Sequence, residues 1–305
     1  MNNVKTVVTH NGVFHVDDVV AFTIIKTVVG EVNLIRTRDK DIIEEADIVL
    51  DVGGVYDLTI DRFDHHQKGG AGERENGIFY STAGLTWGLY GNKFIRIILR
   101  ENGVEMTDHQ IGKLWKTIDD EIMSIDMIDN GQKVNEVKVT PLYDLVPLWN
   151  PSSLEETSDE IYMEWFLDAA SFTQKYLKKR VLFVAAKILA RDAVLTDYEL
   201  GDNPELLVLF KFVPWQETVI NELPDVKFVV FPDIKSGFRL QTIPLSEEGF
   251  QARKNLPLSW KGLRGEEFDS VTGVPGGVFC HDGRFICGHN TKEGIMALAE
   301  LALKE

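Results

Sequence analysis

Four of the seven histidines fall before residue 67, and each stands close to an aspartate near the end of a β-branched run. His10 closes VVTH. His15, Asp17 and Asp18 follow in FHVDD, Asp51 closes DIVLD just before Gly53 and Gly54, and Asp64, His65 and His66 form a triplet. Taken singly, each has an ordinary use: an aspartate opening a helix caps it, and aspartate beside glycine makes turns. Convergent imidazoles and carboxylates, however, are the donor set for Mn²⁺ or a similar hard-to-borderline cation. The only cysteines are Cys280 and Cys287, so a thiolate-rich zinc site and a disulfide framework are both excluded. Two divalent cations about 3.5–4 Å apart can activate a water and stabilise charge on a phosphoryl oxygen, given a carboxylate to bridge them. Asp51, leaving a buried run and followed by glycines that let the chain turn sharply, is the candidate bridge.

The elements that must position these groups alternate. Residues 4–8 predict a strand, 16–29 a helix, 32–37 a strand, 39–46 a short helix and 48–52 a third strand, with another at 61–63. This alternation predicts a parallel sheet with right-handed crossovers, whose ligands gather at the carboxyl ends of the strands. A loop rich in glycine and charge, QKGGAGERENG, leads into helices over 81–100, 107–128 and 155–196; the last is too long for one unbroken helix in a small domain and is expected to be kinked or divided. The polar break at 196–205 sets the domain boundary, giving an N-terminal domain over 1–195 and a C-terminal domain over 206–305. In the latter, 206–210, 227–231 and 238–243 read as strands. WKGLRGEEF reads as helical, GVPGGVFCHDGRFICGHN as a glycine-rich segment, and a final helix starts at Thr291. The fold class is therefore α/β: an N-terminal parallel-sheet domain with helices on both faces and a smaller α/β C-terminal domain.

With 305 residues, 44% hydrophobic and 26% charged, the chain has the composition of a globular protein rather than a disordered one. No apolar run is long enough to span a bilayer, and MNNVKTVVTHNG resembles neither a secretory signal nor a transit peptide, so the expected compartment is the cytoplasm. A net charge of -16 argues against coating nucleic acid through a basic surface. It leaves a phosphate substrate open, because bound cations invert the local electrostatics.

THNGVFHVDD, RTRD, DIVLDVGGVYD and RFDHHQKG, in this order and spacing, resemble the melanocyte-proliferating-gene (MYG) family, a branch of the DHH phosphoesterase superfamily. IDMIDNG, LSWKGLRGE and VTGVPGGVFCHDGRFICGHNTKEG extend the resemblance over nearly the whole chain. It implies that His10 is the opening metal ligand. His15 and Asp17 stand where more typical members have two aspartates, in a loop one residue longer. Asp51 takes the bridging place and His65 that of a ligand to the second metal. Asp64 belongs to the metal-site set and orients the histidines, and His66 faces the substrate, acting with Asp51 in catalysis. Asp126 and Asp129, three residues apart on one helix face, compete for the last ligand position. The preference goes to Asp126, with Asp129 turning the chain alongside Asn130 and Gly131.

The same resemblance places a phosphate or nucleotide clamp at CGHN: Gly288 and His289, with Thr291, Lys292 and Gly294 opening the last helix and Cys287 in place of a glycine. Arg36, Arg38, Arg253 and Arg264 are candidate phosphate contacts. Trp215 and Trp260 are candidate platforms for stacked bases, although core packing is the more expected use of each. The implied activity is two-metal hydrolysis of a phosphodiester, as a 3'-5' exonuclease on RNA or short oligonucleotides, with Mn²⁺ as cofactor and Mg²⁺ or Co²⁺ as substitutes. The implied partner is RNA or an oligonucleotide, with no membrane and with a homodimer compatible. The rival readings are a small-molecule phosphatase or pyrophosphatase, and a non-catalytic binding protein, against which the full set of His and Asp positions argues.

Overall fold

A computed structural model of the chain describes residues 4–134, 137–246, 249 and 251–305. Its first strand, β1 (Lys5–Thr9), carries Val7 and Val8, successive residues that are both fully buried. Side chains alternate across a strand, so both faces of the sheet are covered. β1 lies between β2 (Val32–Arg36) and β3 (Ile48–Leu50), parallel to both. Two short strands, β4 (Tyr56–Asp57) and β5 (Arg62–Phe63), complete the order β2-β1-β3-β5-β4, in which β5 runs parallel to β3 and β4 antiparallel to β5.

The crossover helix α1 (Val16–Val29) is buried around most of its circumference and packs against α3 (Thr82–Glu101). On the other face, α2 (Lys40–Glu45), capped by Asp39, sets Ile43 among Val8, Ala46 and Val49. Thr107 and Gln110 form the capping box that starts α4 (Asp108–Asp129), which packs along α3. After α5 (Leu142–Leu145) a 3-10 turn, Val146–Trp149, leads to α6 (Asp159–Glu199).

Contrary to the expectation of a kink or a division, α6 is one helix of 41 residues. Its length is supported in two places. Phe166 and Val181 are buried in the first part, while Val194 joins the core formed by Leu207, Trp215, Val219 and Val229. The chain forms two compact units, 1–185 and 186–305, which divide within this helix rather than in the polar segment 196–205.

The second unit contains β6 (Leu206–Val208), α7 (Gln216–Glu222), β7 (Phe228–Pro232), β8 (Phe238–Thr242), α8 (Gly265–Thr272), β9 (Gly277–Cys280), β10 (Ile286–His289) and α9 (Lys292–Lys304). Its sheet has the order β6-β7-β8-β10-β9, with only β6 and β7 parallel. Alternation again serves two faces: Leu206 and Val230 pack with Ile295 and Leu298 of α9, and Leu207 and Val229 with α7. The segment read as merely glycine-rich is the hairpin β9–β10. Trp215 and Trp260 are each 3% exposed inside these two cores, so neither is a base-stacking platform. Among the described residues, no helix is long and apolar enough to cross a membrane.

Candidate metal centre

His10 directly follows β1 and Asp51 directly follows β3, so neighbouring parallel strands deliver both to one end of the sheet. Asp51 sits at φ 57°, a left-handed conformation that aspartate tolerates better than most residues and that turns its carboxylate away from the strand. The turn is held by Asp51 N–H donating to Phe63 O at 3.0 Å and by the Thr82 hydroxyl, 3.0 Å from Asp51 Oδ1. The two carboxylate oxygens then face different partners. Oδ2 lies 3.3 Å from His10 Nε2, and Oδ1 lies 3.4 Å from His65 Nε2.

Around His10 are Asp18, with Oδ2 at 3.2 Å, and the ring of His15, whose centroid is 5.7 Å away. Around His65 are Asp129 Oδ2 at 3.1 Å and Asp17 Oδ2 at 3.7 Å. Three sets of donor atoms, each within 4.8 Å of one another, result: His10, His15 and Asp51; Asp51, His65 and His66; His15, Asp17 and Asp129. Asp17 and Asp18 belong to the first turn of α1, where the exposed amides and the helix dipole favour carboxylates.

The charge of this cluster is poorly satisfied by the protein itself. Burial pushes the Asp17 carboxyl well above its ordinary range, and Asp51 and Asp129 push it further. Burial likewise raises Asp18. Burial opposes charge on His10 and His65, yet Asp18 and Asp51 around the first, and Asp129 and Asp51 around the second, drive each imidazole up to about 10. Burial would raise Asp51 too, but His10 and His65 hold it below the usual carboxylate range. His10 Nε2, both oxygens of Asp17, Asp18 Oδ2 and His65 Nε2 are buried without an aligned hydrogen-bond partner. Buried carboxylates without such partners are costly unless they are paired or coordinate a cation. The donor set therefore fits one or more divalent cations of the His and carboxylate type.

Asp64 stands in none of these three donor sets and is engaged by hydrogen bonds. Its Oδ2 accepts from Gly54 N–H at 2.5 Å, and its Oδ1 accepts from His66 N–H at 3.0 Å and from His66 Nδ1 at 2.8 Å. These bonds hold its pKa down against the opposing effect of burial. It orients His66, whose side chain is 60% exposed and faces outward.

The preference for Asp126 over Asp129 is corrected. Asp126 is fully buried and pairs with Arg74 Nε at 2.7 Å. It also accepts from Ser81 N–H, the Ser81 hydroxyl and Gly84 N–H at 3.0, 2.7 and 3.0 Å. Of the two, it is Asp129 whose carboxylate stands beside His65 in the cluster.

Three candidate phosphate contacts bond to backbone carbonyls in this structure. Arg36 donates to Tyr162 O and Gly12 O and lies over Phe14 and Phe166; Arg38 donates to Asn11 O at 2.6 Å. Arg253 donates to the carbonyls of Val219, Ile220, Leu223 and Val226, closing the end of α7. His289 is fixed in the fold, Nε2 to Pro275 O at 3.0 Å and Nδ1 accepting from Thr291 N–H at 3.0 Å. At Gly288 a Cβ would meet the Arg239 guanidinium at 2.6 Å. Arg264 lies over the Phe279 ring and Lys292 over that of Phe210.

Sequence reasoning left Asp18, Arg74, Ser81, Thr82 and Asn150 without roles. Adjacency to Asp17 was a signal for Asp18. For the others there was none, since their partners lie far along the chain.

The model of the uncharacterised protein family UPF0160 matches residues 6–303. The chain is 29% identical to human MYG1 exonuclease, covering 97% of this chain and 85% of that protein. It is 30% identical to Saccharomyces cerevisiae MYG1 protein YER156C, covering 98% and 96%, and 29% identical to Schizosaccharomyces pombe MYG1 protein C694.04c, covering 99% and 98%. A pGpG-specific phosphodiesterase from Vibrio aligns over 98% of both chains at 13% identity with a TM-score of 0.27, too loose a likeness to bear on fold or function.

Proposed function

The chain belongs to the uncharacterised protein family UPF0160, and on that premise we propose that it is a two-metal phosphodiester hydrolase, a 3'-5' exonuclease acting on RNA or short oligonucleotides. Relatives named exonuclease support a phosphoesterase role in general. The observation that carries the two-metal reading is Asp51, whose oxygens are divided between the His10 and the His65 sides of the cluster. On this reading His10, His15, Asp17, Asp51, His65 and Asp129 would hold the cations, with Mn²⁺ the best match to the donors. Once bound, such cations lower the pKa of a water and neutralise charge on a phosphoryl oxygen.

The chain's own residues supply the remainder. Asp64 accepts from His66 Nδ1 and so turns Nε2 outward, where it can hand a proton to, or take one from, a substrate oxygen. The Asp64 bond also raises the pKa of His66, keeping the imidazole in its donating form to higher pH. Thr82 fixes the Asp51 carboxylate. The partner is then an RNA or oligonucleotide, and the compartment the cytoplasm, a reading supported by two buried, unpaired cysteines.

The test is hydrolysis of 3'-labelled and 5'-labelled RNA oligonucleotides with Mn²⁺, beside an Asp51→Asn variant and a pyrophosphate control. Metal-dependent shortening from the 3' end, abolished in the variant, is the expected result. Activity on pyrophosphate alone would replace the reading with a small-molecule phosphatase. Silence on every substrate would make the chain a binding protein on this fold.

A further inference from the structure

The loop between β1 and α1 carries His10 at one end and His15 at the other, with no secondary structure between them. Its backbone is held instead by side chains from far along the chain. Arg38 takes Asn11 O, Arg36 Nη2 takes Gly12 O at 2.9 Å, and Asn150 pairs with both backbone groups of Phe14. Phe14 N–H donates to Asn150 Oδ1 at 3.0 Å, and Asn150 Nδ2 donates to Phe14 O at 2.8 Å.

The Phe14 ring is 1% exposed, edge-on to Phe166 at 5.6 Å and beneath the Arg36 guanidinium. Asn150 is presented by the 3-10 turn before it, where Trp149 packs on Phe172 of α6 at 4.9 Å. The Phe14 carbonyl shares a peptide plane with His15 N, which itself donates to Asp18 Oδ1 at 2.9 Å. Pinning Phe14 therefore fixes the orientation of the peptide on which His15 stands.

We propose that Asn150 is a positioning residue for the metal centre, holding Phe14 so that His15 stays in register with His10 and Asp51. A carboxamide is suited to this because it offers a donor and an acceptor on one plane, which neither a carboxylate nor a hydroxyl matches at two backbone groups together. The proposal rests on the reading of the cluster as a metal centre. Partners outside the ligands themselves set metal affinity by orienting them, typically by about 10- to 100-fold.

The experiment is calorimetric titration of Mn²⁺ into chelator-stripped full-length protein, for the wild type, Asn150→Ala, Asn150→Asp and, as a reference for a lost ligand, Asp51→Asn. Thermal unfolding of each is followed in chelator alongside. Asn150→Ala is expected to weaken Mn²⁺ binding by about 10- to 100-fold. Asn150→Asp, which keeps the acceptor for Phe14 N–H and loses the donor to Phe14 O, is expected to fall between Asn150→Ala and the wild type. It also carries the test if the alanine variant does not fold. Unchanged Mn²⁺ affinity in the folded Asn150 variants, whatever their unfolding temperature, overturns the proposal while leaving the metal centre standing. A wild type that takes up no Mn²⁺ overturns both.

Discussion

Asp129 Oδ2 lies 3.1 Å from His65 Nε2, whereas Asp126, less than one turn earlier on α4, has both oxygens engaged by Arg74, Ser81 and Gly84. The two aspartates should separate in experiment. Removing Asp126 leaves the Arg74 guanidinium, itself 9% exposed, without one of its two buried partners, a class of change that costs about 3–5 kcal/mol. Asp126→Ala should therefore lower the unfolding temperature of chelator-treated protein. Asp129→Ala removes only the contact with His65, so it should lower that temperature less than Asp126→Ala does, and weaken Mn²⁺ binding in calorimetric titration by about 10-fold or more, as loss of an orienting or ligating carboxylate does.

The imidazoles add a pH dependence. His10 and His65, raised from 6.5 to about 10 against the opposing effect of burial, give metal-stripped protein a stabilisation that is complete below pH 6.5 and lost as pH climbs toward 10. Asp17 and Asp18, also raised, act in the same direction. Metal needs the imidazoles neutral, so uptake must release protons and strengthen with pH. Unfolding temperatures between pH 6.5 and 9 should fall in chelator and hold or rise with Mn²⁺ present; parallel curves in both would count against the centre. The histidines and most of these aspartates were legible in the sequence because their chemical types and their places at strand ends are local. Asp126 and Asp129 were not separable there. They share a helix face, and what distinguishes them is Arg74, on a loop whose fold no local pattern encodes.

At the scale of elements, α3 and α4 meet where Gly84 lies against the Asp126 carboxylate. A Cβ at Gly84 would stand 2.3 Å from Asp126 Oδ2, and Asp126 cannot retreat while Arg74 and Ser81 hold it. Gly84→Ala should thus move the end of α4 and, with it, Asp129. The expected result is a loss of about 1–3 kcal/mol in chemical denaturation, as for overpacked cores, accompanied by weaker Mn²⁺ binding. A variant destabilised with unaltered metal affinity would show that α4 yields elsewhere.

The long amphipathic and β-branched stretches were readable in this scale of the fold: α1 spans Val16–Val29 as its apolar run predicts, and β1, β2, β7 and β8 lie within a residue or so of their patterns. Three features were not. α6 stays unbroken because Phe166 and Val194 are buried in different cores, a fact that periodicity does not contain. In the hairpin β9–β10 the strand formers Val278, Phe279 and Ile286 stand among Gly277, Cys280, Cys287 and Gly288, so the pattern is too short to stand out by itself, and pairing with β8 and with each other completes the strands. β4 is only two residues long and depends on β5 for its existence.

At the scale of the whole molecule, the net charge of -16 constrains how a polyanion can be bound. Three of the arginines that would have met phosphate are directed inward or onto the backbone: Arg36 and Arg38 hold the His10–His15 loop, and Arg253 closes α7. On the proposed reading, attraction to RNA comes chiefly from cations at the centre, which act over a short range, rather than from a basic surface that displaces counterions. For single strands the logarithm of affinity falls with the logarithm of salt at about -0.7 per phosphate neutralised by Lys or Arg. A protein that engages three phosphates or fewer in this way should show a slope no steeper than about -2. The measurement is fluorescence anisotropy of a labelled RNA oligonucleotide, read by stopped flow before hydrolysis, with Asp51→Asn and wild-type protein, at fixed Mn²⁺ and varied KCl, beside a chelator control. A shallow slope, with binding lost in chelator, is the expected outcome for the wild type, and weaker binding at every salt concentration for the variant. A slope near -5, or binding indifferent to chelator, would mean that a basic surface holds the strand, and the cluster around Asp51 would then have to be assigned to chemistry on a smaller phosphate ester.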